Sequence, residues 1–305
     1  MNVSNFEWKI TEIYSNFDEF CKSFTGFVIS QGIGRRPKRE PSMSISEICT
    51  ILILYHLSGY KCFKFYYDQV VLKGKLKTYF PNALSYHRFI ELIPRSFIYL
   101  TAFMQLNCCL EGNGIYYLDS KKMTVCHNRR IHQNKVFKGF AERGHCSVGY
   151  FYGFKLFIVI DHLGQIVKFK FTRGNKGDNN EILMHDFLEG LKGKVFADKG
   201  FINQKVWTEL LNTGLQVITK LRSNMKNKLM PLADKLLLSK RGIIESTFNL
   251  MITQCDLEHS RHRSPINAFC AMICALIAYT YLDHLPSILN KFSILNKFNL
   301  FLTEI

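Results

Sequence analysis

The chain has 305 residues, of which 47% are hydrophobic and 21% are charged, with 19 Gly and 7 Pro. This composition excludes a disordered or collagen-like chain and predicts a globular protein with a sizeable core. Lys and Arg number 40 against 24 Asp and Glu, which gives a formal net charge of +16. A polyanionic partner, most simply nucleic acid, would account for this excess, and a generally basic surface is the alternative.

Neither secretion nor membrane insertion is expected from the sequence. The first 20 residues carry four acids and lack the apolar segment of a signal peptide. The ten cysteines are scattered without a Cys-x-x-Cys pair, which favours reduced thiols in a cytoplasmic protein. The longest uncharged run, residues 266–282, is at the short end of a membrane span and contains Asn267 and Thr280, so it predicts a buried helix.

Helical patterns dominate residues 1–110. Apolar residues recur at helical spacing between Phe6 and Phe20, and residues 85–100 predict a further helix. Residues 44–59 predict a helix that Ser44 caps, with Glu47 in the position that completes a capping box. A basic cluster, formed by Arg35, Arg36, Lys38 and Arg39, lies between the first of these helices and the one predicted at residues 44–59.

Strand and helix patterns alternate from about residue 114. The predicted elements are, in chain order, a strand at 115–118 that ends in Asp119, a hairpin of strands at 151–160 and 166–172, a helix at 180–191, a strand at 194–197 that ends in Asp198, a helix at 203–212, a strand at 215–219, a long helix from 232 to about 252 that is interrupted by Gly242, and a last helix at 266–282. This order predicts an α/β fold with a ribonuclease-H-like sheet.

The predicted domains follow from these changes of pattern. A helical N-terminal region, 1–110, is expected to bind DNA ends or to dimerise, and 111–285 is expected to be the ribonuclease-H-like domain. Residues 286–305 form a tail in which the hexapeptide of residues 287–292 is repeated directly at 293–298. The repeat has too few copies for a solenoid and implies no function.

Three acids occupy positions that suit metal-dependent chemistry. Asp119 and Asp198 follow predicted strands, and Glu245 lies on a helix that can cover the same edge of the sheet. Converging carboxylates need a cation to offset their repulsion, and Mg²⁺ prefers such oxygen ligands. Two ions about 4 Å apart activate a nucleophile and stabilise a leaving oxygen in phosphoryl transfer. The alternative is that the acids are turn, cap and solvent-exposed helix residues.

Basic residues flank the three acids. Residues 120–143 contain seven Lys or Arg and one acid, and residues 220–241 again contain seven and one. Cations beside a carboxylate cluster suit a phosphodiester backbone, whereas two solvated basic loops are the alternative. Arg241 lies four residues before Glu245, so it would hold a phosphate, orient the carboxylate, or form a simple ion pair.

Short fragments in a fixed order resemble the DDE transposases of bacterial insertion sequences, most closely the insertion sequence 982 family. The fragments are Ser85-Tyr86-His87-Arg88-Phe89, Tyr117-Leu118-Asp119-Ser120, Val125-Cys126, Arg130-Ile131, Tyr152-Gly153-Phe154-Lys155-Leu156, Gly174-Asn175 to Asp178, Ala197-Asp198-Lys199-Gly200-Phe201, Lys240-Arg241 to Glu245, and His259-Ser260-Arg261-His262-Arg263. The resemblance covers about residues 40–285. A Tyr-x-x-Arg-x-x-x-Glu-x6-Lys signature of related groups is incomplete, because Leu238 and Ile252 replace its outer residues.

The resemblance implies a DNA transposase that binds element ends and catalyses strand cleavage and strand transfer. It implies Asp119, Asp198 and Glu245 as catalytic residues and ligands of two Mg²⁺ ions, or of Mn²⁺ in their place. It also implies terminal inverted repeats and target DNA as substrates, a homo-oligomer on DNA, and a bacterial cytoplasmic protein at the nucleoid. The residues expected to contact DNA are Arg35, Arg36, Lys38, Arg39, Lys121, Lys122, Arg129, Arg130, Lys199, Arg241, Arg261 and Arg263.

Two other functions fit the same residues. A structure-selective nuclease on this fold would cut DNA without joining ends. An inactive remnant would bind element ends without chemistry. Inverted repeats that flank the gene would favour the transposase.

Overall fold

A computed structural model describes residues 3–32, 41–109, 111–146, 149–220, 230–258 and 262–288. The contacts divide the chain into two compact units. The first contains the described residues of 1–108 and 250–282, and the second contains those of 109–249 and 283–288. The domains predicted from the sequence differ from these units, because the prediction places residues 250–282 in the same domain as the acids. The basic cluster at 35–39, Arg261 and the repeat from residue 289 onward lie outside the described residues.

The helices and strands are numbered in chain order. The α-helices are α1 (Val3–Ser30), α2 (Ile45–Leu57), α3 (Phe63–Tyr66), α4 (Tyr86–Phe103), α5 (Glu181–Leu188), α6 (Gln204–Asn212), α7 (Leu232–Ser239), α8 (Gly242–Thr253) and α9 (Pro265–Thr280). The strands are β1 (Ile115–Cys126), β2 (Glu142–Cys146), β3 (Gly149–Asp161), β4 (Ile166–Arg173), β5 (Gly193–Ala197) and β6 (Leu215–Thr219). The predicted α/β class is confirmed.

The first unit is helical, and its core lies between α1, α2, α4 and α9. Phe17 of α1 stacks on Phe103 of α4 with ring centroids 3.8 Å apart. The predicted capping box of α2 is confirmed, because Ser44 and Glu47 exchange hydrogen bonds between side chain and backbone. Nearly every side chain of α9 from Met272 onward is buried, as expected for its uncharged sequence. None of the described helices is long and apolar enough to cross a membrane.

The second unit is built on one mixed sheet. Its strand order is β2-β3-β1-β5-β6, and β4 also pairs with β3. β1 is antiparallel to β3 and parallel to β5, and β5 is parallel to β6. The β3–β4 pair is antiparallel, which confirms the predicted hairpin. β1 is therefore the strand at which antiparallel pairing gives way to parallel pairing.

Helices cover both faces of this sheet. Apolar side chains of α5 and α6 pack on one face, against residues such as Leu118, Phe157 and Val195. On the other face, Tyr117 stacks on Phe196 with ring centroids 5.5 Å apart, and its hydroxyl donates to the carbonyl of Leu237 in α7, 3.2 Å away. Because successive residues of a strand point to opposite faces, Asp119 and Asp198 share the face of Tyr117 and Phe196.

Two predicted elements have different bounds in the structure. β1 does not end at Asp119 but continues to Cys126, because its second half stays paired with β3. The long helix predicted from residue 232 is two helices, α7 and α8, and the break between them falls at Lys240 and Arg241. β2 was not predicted, because its sequence of Arg, Gly, His and Cys lacks the apolar alternation of a strand.

A buried ion pair fixes α7 to the sheet. Asp234 of α7 has only 3% of its side chain exposed, and its Oδ1 accepts a hydrogen bond from Lys194 Nζ of β5 at 2.6 Å. A buried carboxylate without its partner is strongly destabilising. The pair therefore holds α7 beside β5. Because α8 begins directly after α7, the same ion pair also restricts the position at which α8 begins.

Replacing Lys194 with Met leaves the Asp234 carboxylate buried and unpaired. We expect a loss of roughly 1 to 3 kcal/mol in the free energy of unfolding, less than for a fully buried pair because the lysine is partly exposed. Urea denaturation at neutral pH measures this change. Lys205→Met removes an exposed ion pair with Glu181 and should leave stability unchanged. Equal effects of the two substitutions would contradict the role assigned to Asp234.

Candidate active site

The pairing of β1 with β5 brings two acids together. Leu118 and Ala197 are register partners in the parallel pair, and Asp119 and Asp198 are the residues that follow them. Both acids therefore lie at the carboxyl end of the parallel pair and on the same face of the sheet. Open α/β sheets place ligand sites at the carboxyl ends of parallel strands, and here the β1–β5 pairing ends at Leu118 and Ala197.

Arg241 links the third acid to the sheet. It lies in the break between α7 and α8, with 20% of its side chain exposed. Its Nη2 donates to Glu245 Oε1 at 2.7 Å, which is the ion pair among the three roles that their spacing allows, and its Nη1 lies 3.6 Å from Asp119 Oδ2. One guanidinium thus contacts acids from two separate parts of the sequence.

The environment of Asp119 disfavours its charged form. The pKa of the Asp119 carboxyl is raised to about 6, chiefly by burial, and the negative charges of Asp198 and Glu245 contribute to this rise. The backbone N–H of Ser120, which donates to Asp119 Oδ1 at 2.8 Å, and the charge of Arg241 act in the opposite direction. Asp198 and Glu245 are therefore both near enough to Asp119 to act on its carboxyl electrostatically.

The donor set suits a hard divalent cation. Asp119 and Asp198 offer carboxylate oxygens on one face, and their mutual repulsion is what a bound cation would offset. Among the residues that the structure describes, however, no group of three His, Cys, Asp or Glu side chains is arranged to hold one ion. Glu245 is instead paired with Arg241.

The basic residues predicted to contact DNA lie in several places. Lys121 and Lys122 follow Asp119 on β1 and are half-buried, whereas Lys199, directly after Asp198, is exposed. Arg129 and Arg130 are exposed on a 3₁₀ turn that follows β1. Arg263 is exposed in the first unit. Arg35, Arg36, Lys38, Arg39 and Arg261 lie outside the described residues.

A family comparison decides the identity of the chain. Residues 110–265, just over half of the chain, match the model of the transposase DDE domain. The chain belongs to the transposase DDE domain family. The matched segment contains Asp119, Asp198 and Glu245.

Other comparisons add little to this assignment. No curated protein sequence matches the transposase. A solved structure, a piggyBac transposase synaptic complex with hairpin DNA, matches with a TM-score of 0.43 and 11% identity. The match covers 91% of this chain and 73% of that one. This likeness is too weak to assign the fold.

Sequence reasoning missed a polar cluster beside the acids of the transposase. Asp178 lies in the loop between β4 and α5, and its Oδ1 accepts hydrogen bonds from Ser120 Oγ at 2.8 Å and from Lys155 Nζ at 3.0 Å. The fragments Asp119-Ser120, Lys155-Leu156 and Gly174-Asn175 to Asp178 were recognised separately. Their contact depends on the pairing of β1, β3 and β4, which spacing along the chain does not reveal.

Replacing Asp119 with Asn should stabilise the transposase. The folded-state pKa, about 6, is above the ordinary value of 3.8, so ionising this carboxyl costs folding free energy. The cost is absent below about pH 4, grows between pH 4 and 6, and is constant above. In the presence of a chelator at pH 7.5, we expect a gain of roughly 3 kcal/mol that vanishes towards pH 4.

Urea denaturation at several pH values measures this gain. The control is Asp186→Asn, because Asp186 is exposed and the hydrogen bond from Lys170 lowers the pKa of its carboxyl. That substitution should give no stabilisation at any pH. A gain for Asp119→Asn that does not depend on pH would show that charge burial is not its cause.

Proposed function

We propose that this DDE transposase cleaves DNA at the ends of a mobile element and joins the ends to target DNA, with Asp119, Asp198 and Glu245 as its catalytic acids. The observation that carries the proposal is the placement of Asp119 and Asp198. They directly follow Leu118 and Ala197, the last register partners of two adjacent parallel strands, within the segment that matches the transposase DDE domain. Glu245 joins them through Arg241.

We propose that the second unit has a ribonuclease-H-like fold. The strand order supports this proposal, because a hairpin of β3 and β4 lies beside β1, with β3 antiparallel to it, and β5 and β6 continue on its other side in parallel. Membership of the insertion sequence 982 group is likewise proposed from the sequence fragments, as are a bacterial host and a cytoplasmic location.

DDE transposases generally use divalent metal ions, and Mg²⁺ or Mn²⁺ at this site would supply an activated nucleophile and a counter-charge for the leaving oxygen. Asp119 and Asp198 would hold two such ions, and Glu245 would complete their coordination once it leaves Arg241. Arg241 would then be available to contact a phosphate oxygen, for which its planar guanidinium is suited. Arg241 would thus pair with Glu245 in the absence of DNA and with a DNA phosphate when DNA is bound.

The reaction would occur in two phosphoryl transfers. In the first, a water oxygen bonds to phosphorus at the element end, the P–O3′ bond breaks, and the freed oxygen takes a proton to become a 3′ hydroxyl. In the second, that hydroxyl loses its proton and its oxygen bonds to phosphorus of a target phosphodiester, whose own P–O3′ bond breaks, and the leaving 3′ oxygen takes up a proton. No covalent bond between protein and DNA is required.

The DNA substrates would be the terminal inverted repeats and the target duplex. Exposed Lys199, Arg129 and Arg130 lie on the same unit as the acids and supply positive charge for the phosphodiester backbone. We propose that the protein acts as a homo-oligomer, since two element ends must be brought to one target.

Neutralising any one acid should abolish chemistry without abolishing binding. Asp119→Asn, Asp198→Asn and Glu245→Gln each remove a charge with little change in volume, so the cation loses a ligand and cleavage should fall by at least about 100-fold. Mg²⁺-dependent cleavage and joining of an element-end duplex measure this. Binding should persist or tighten, because each variant is one unit more positive.

Glu258→Gln is the matched control for Glu245→Gln, because Glu258 is exposed beyond α8 in the first unit. It should keep wild-type activity. An inactive Glu258 variant with an active Glu245 variant would show that the third acid is wrongly assigned. Cleavage without joining in the wild type would indicate a nuclease, and binding with neither would indicate an inactive remnant.

DNA affinity should fall steeply with salt. A net charge of +16 and clustered Lys and Arg imply that binding releases counterions. We expect the logarithm of the association constant to fall linearly with the logarithm of the salt concentration between about 50 and 200 mM. Arg129→Gln with Arg130→Gln should reduce the slope. A flat dependence would remove the inference that was drawn from charge.

A further inference from the structure

We propose that Asp178, paired with Lys155, is a positioning residue that holds the Asp119 carboxylate in place through Ser120. This inference rests on the proposed function, because it takes Asp119 as a catalytic acid. Asp178 itself lies on the other face of the sheet from Asp119 and does not touch the reacting atoms. Its effect reaches Asp119 through the strand.

Ser120 contacts two carboxylates from opposite sides of β1. Its backbone N–H donates to Asp119 Oδ1 at 2.8 Å, and its hydroxyl donates to Asp178 Oδ1 at 2.8 Å. Since neighbouring residues of a strand point to opposite faces, the Ser120 side chain lies on the face of Leu118, away from the acids. Holding the hydroxyl therefore fixes the backbone group that orients Asp119.

Lys155 fixes Asp178 in turn. Lys155 lies on β3, only 8% of its side chain is exposed, and its Nζ donates to the same Oδ1 atom at 3.0 Å. A buried ammonium requires a partner, and the pairing restricts the Asp178 carboxylate to a narrow range of positions. The ion pair thus gives the loop before α5 a defined attachment to the sheet.

Asp178 also lies beside the segment that follows Asp198. A Cβ atom at Gly200, two residues after Asp198, would lie 3.8 Å from Asp178 Oδ2. One carboxylate is therefore hydrogen-bonded to the residue after Asp119 and close to the turn after Asp198. Asp178 is therefore placed to set the distance between Asp119 and Asp198. A two-ion site requires that this distance be fixed.

Groups behind a metal ligand commonly change metal affinity or activity by 10- to 100-fold when they are removed. Ser120→Ala removes one hydroxyl without any change of charge. We expect the Mg²⁺ concentration for half-maximal cleavage to rise about ten-fold. We also expect a smaller Mg²⁺-induced increase in melting temperature for the DNA-free protein, a readout that does not require activity.

Three further variants separate positioning from general damage. Ser120→Thr keeps the hydroxyl and should restore both readouts. Asp178→Ala removes the oxygen that accepts from Ser120 and should resemble Ser120→Ala, and the double variant should be no worse than either alone, because both act through one contact. Ser239→Ala removes a hydroxyl that is hydrogen-bonded to a helix carbonyl at the end of α7 and should change neither readout.

The outcomes are distinguishable from failure of the proposed function. If Asp119→Asn retains cleavage, the proposed function fails, whatever Ser120→Ala does. If Asp119→Asn is inactive while Ser120→Ala and Asp178→Ala respond to Mg²⁺ as the wild type does, the positioning role is overturned. If Asp178→Ala does not fold, Ser120→Ala and Ser120→Thr decide, and equal Mg²⁺ responses of these two would overturn the proposal.

Discussion

Electrostatic repulsion between acids at one edge of a sheet is the constraint on which the site depends. Parallel pairing of β1 and β5 places Asp119 beside Asp198, and burial makes the charge on Asp119 costly. Arg241 offsets part of that cost through contacts with Asp119 and Glu245. Arg241 lies in the break between α7 and α8, and from this position it reaches both Asp119 on β1 and Glu245 in the first turn of α8.

Much of the second unit could be predicted from local pattern. The apolar alternation of residues 166–172 and the turn before it identify the β3–β4 hairpin, and the short apolar runs at 194–197 and 215–219 identify β5 and β6. Asp119 and Asp198 stand out because each follows such a run. Strong local signals therefore identified both acids, although their roles stay predictions.

Tertiary pairing explains what the sequence could not reveal. The polar residues after Asp119 read as the end of a strand, yet β1 continues because β3 supplies hydrogen bonds along its whole length. Arg241 and Glu245 are related by helical spacing, but the contact of Arg241 with Asp119 joins residues far apart in sequence. The cluster of Ser120, Lys155 and Asp178 has the same origin, as it is formed by three elements at once.

The discontinuous first unit has a consequence for the order in which the chain can fold. During synthesis α1, α2 and α4 leave the ribosome well before α9, whose buried side chains complete their core. The second unit lies between them in sequence, so all of its strands are made before the first unit can close. The N-terminal helices therefore keep apolar surface exposed through most of translation, which makes the nascent chain a natural client for chaperones that shield such surface.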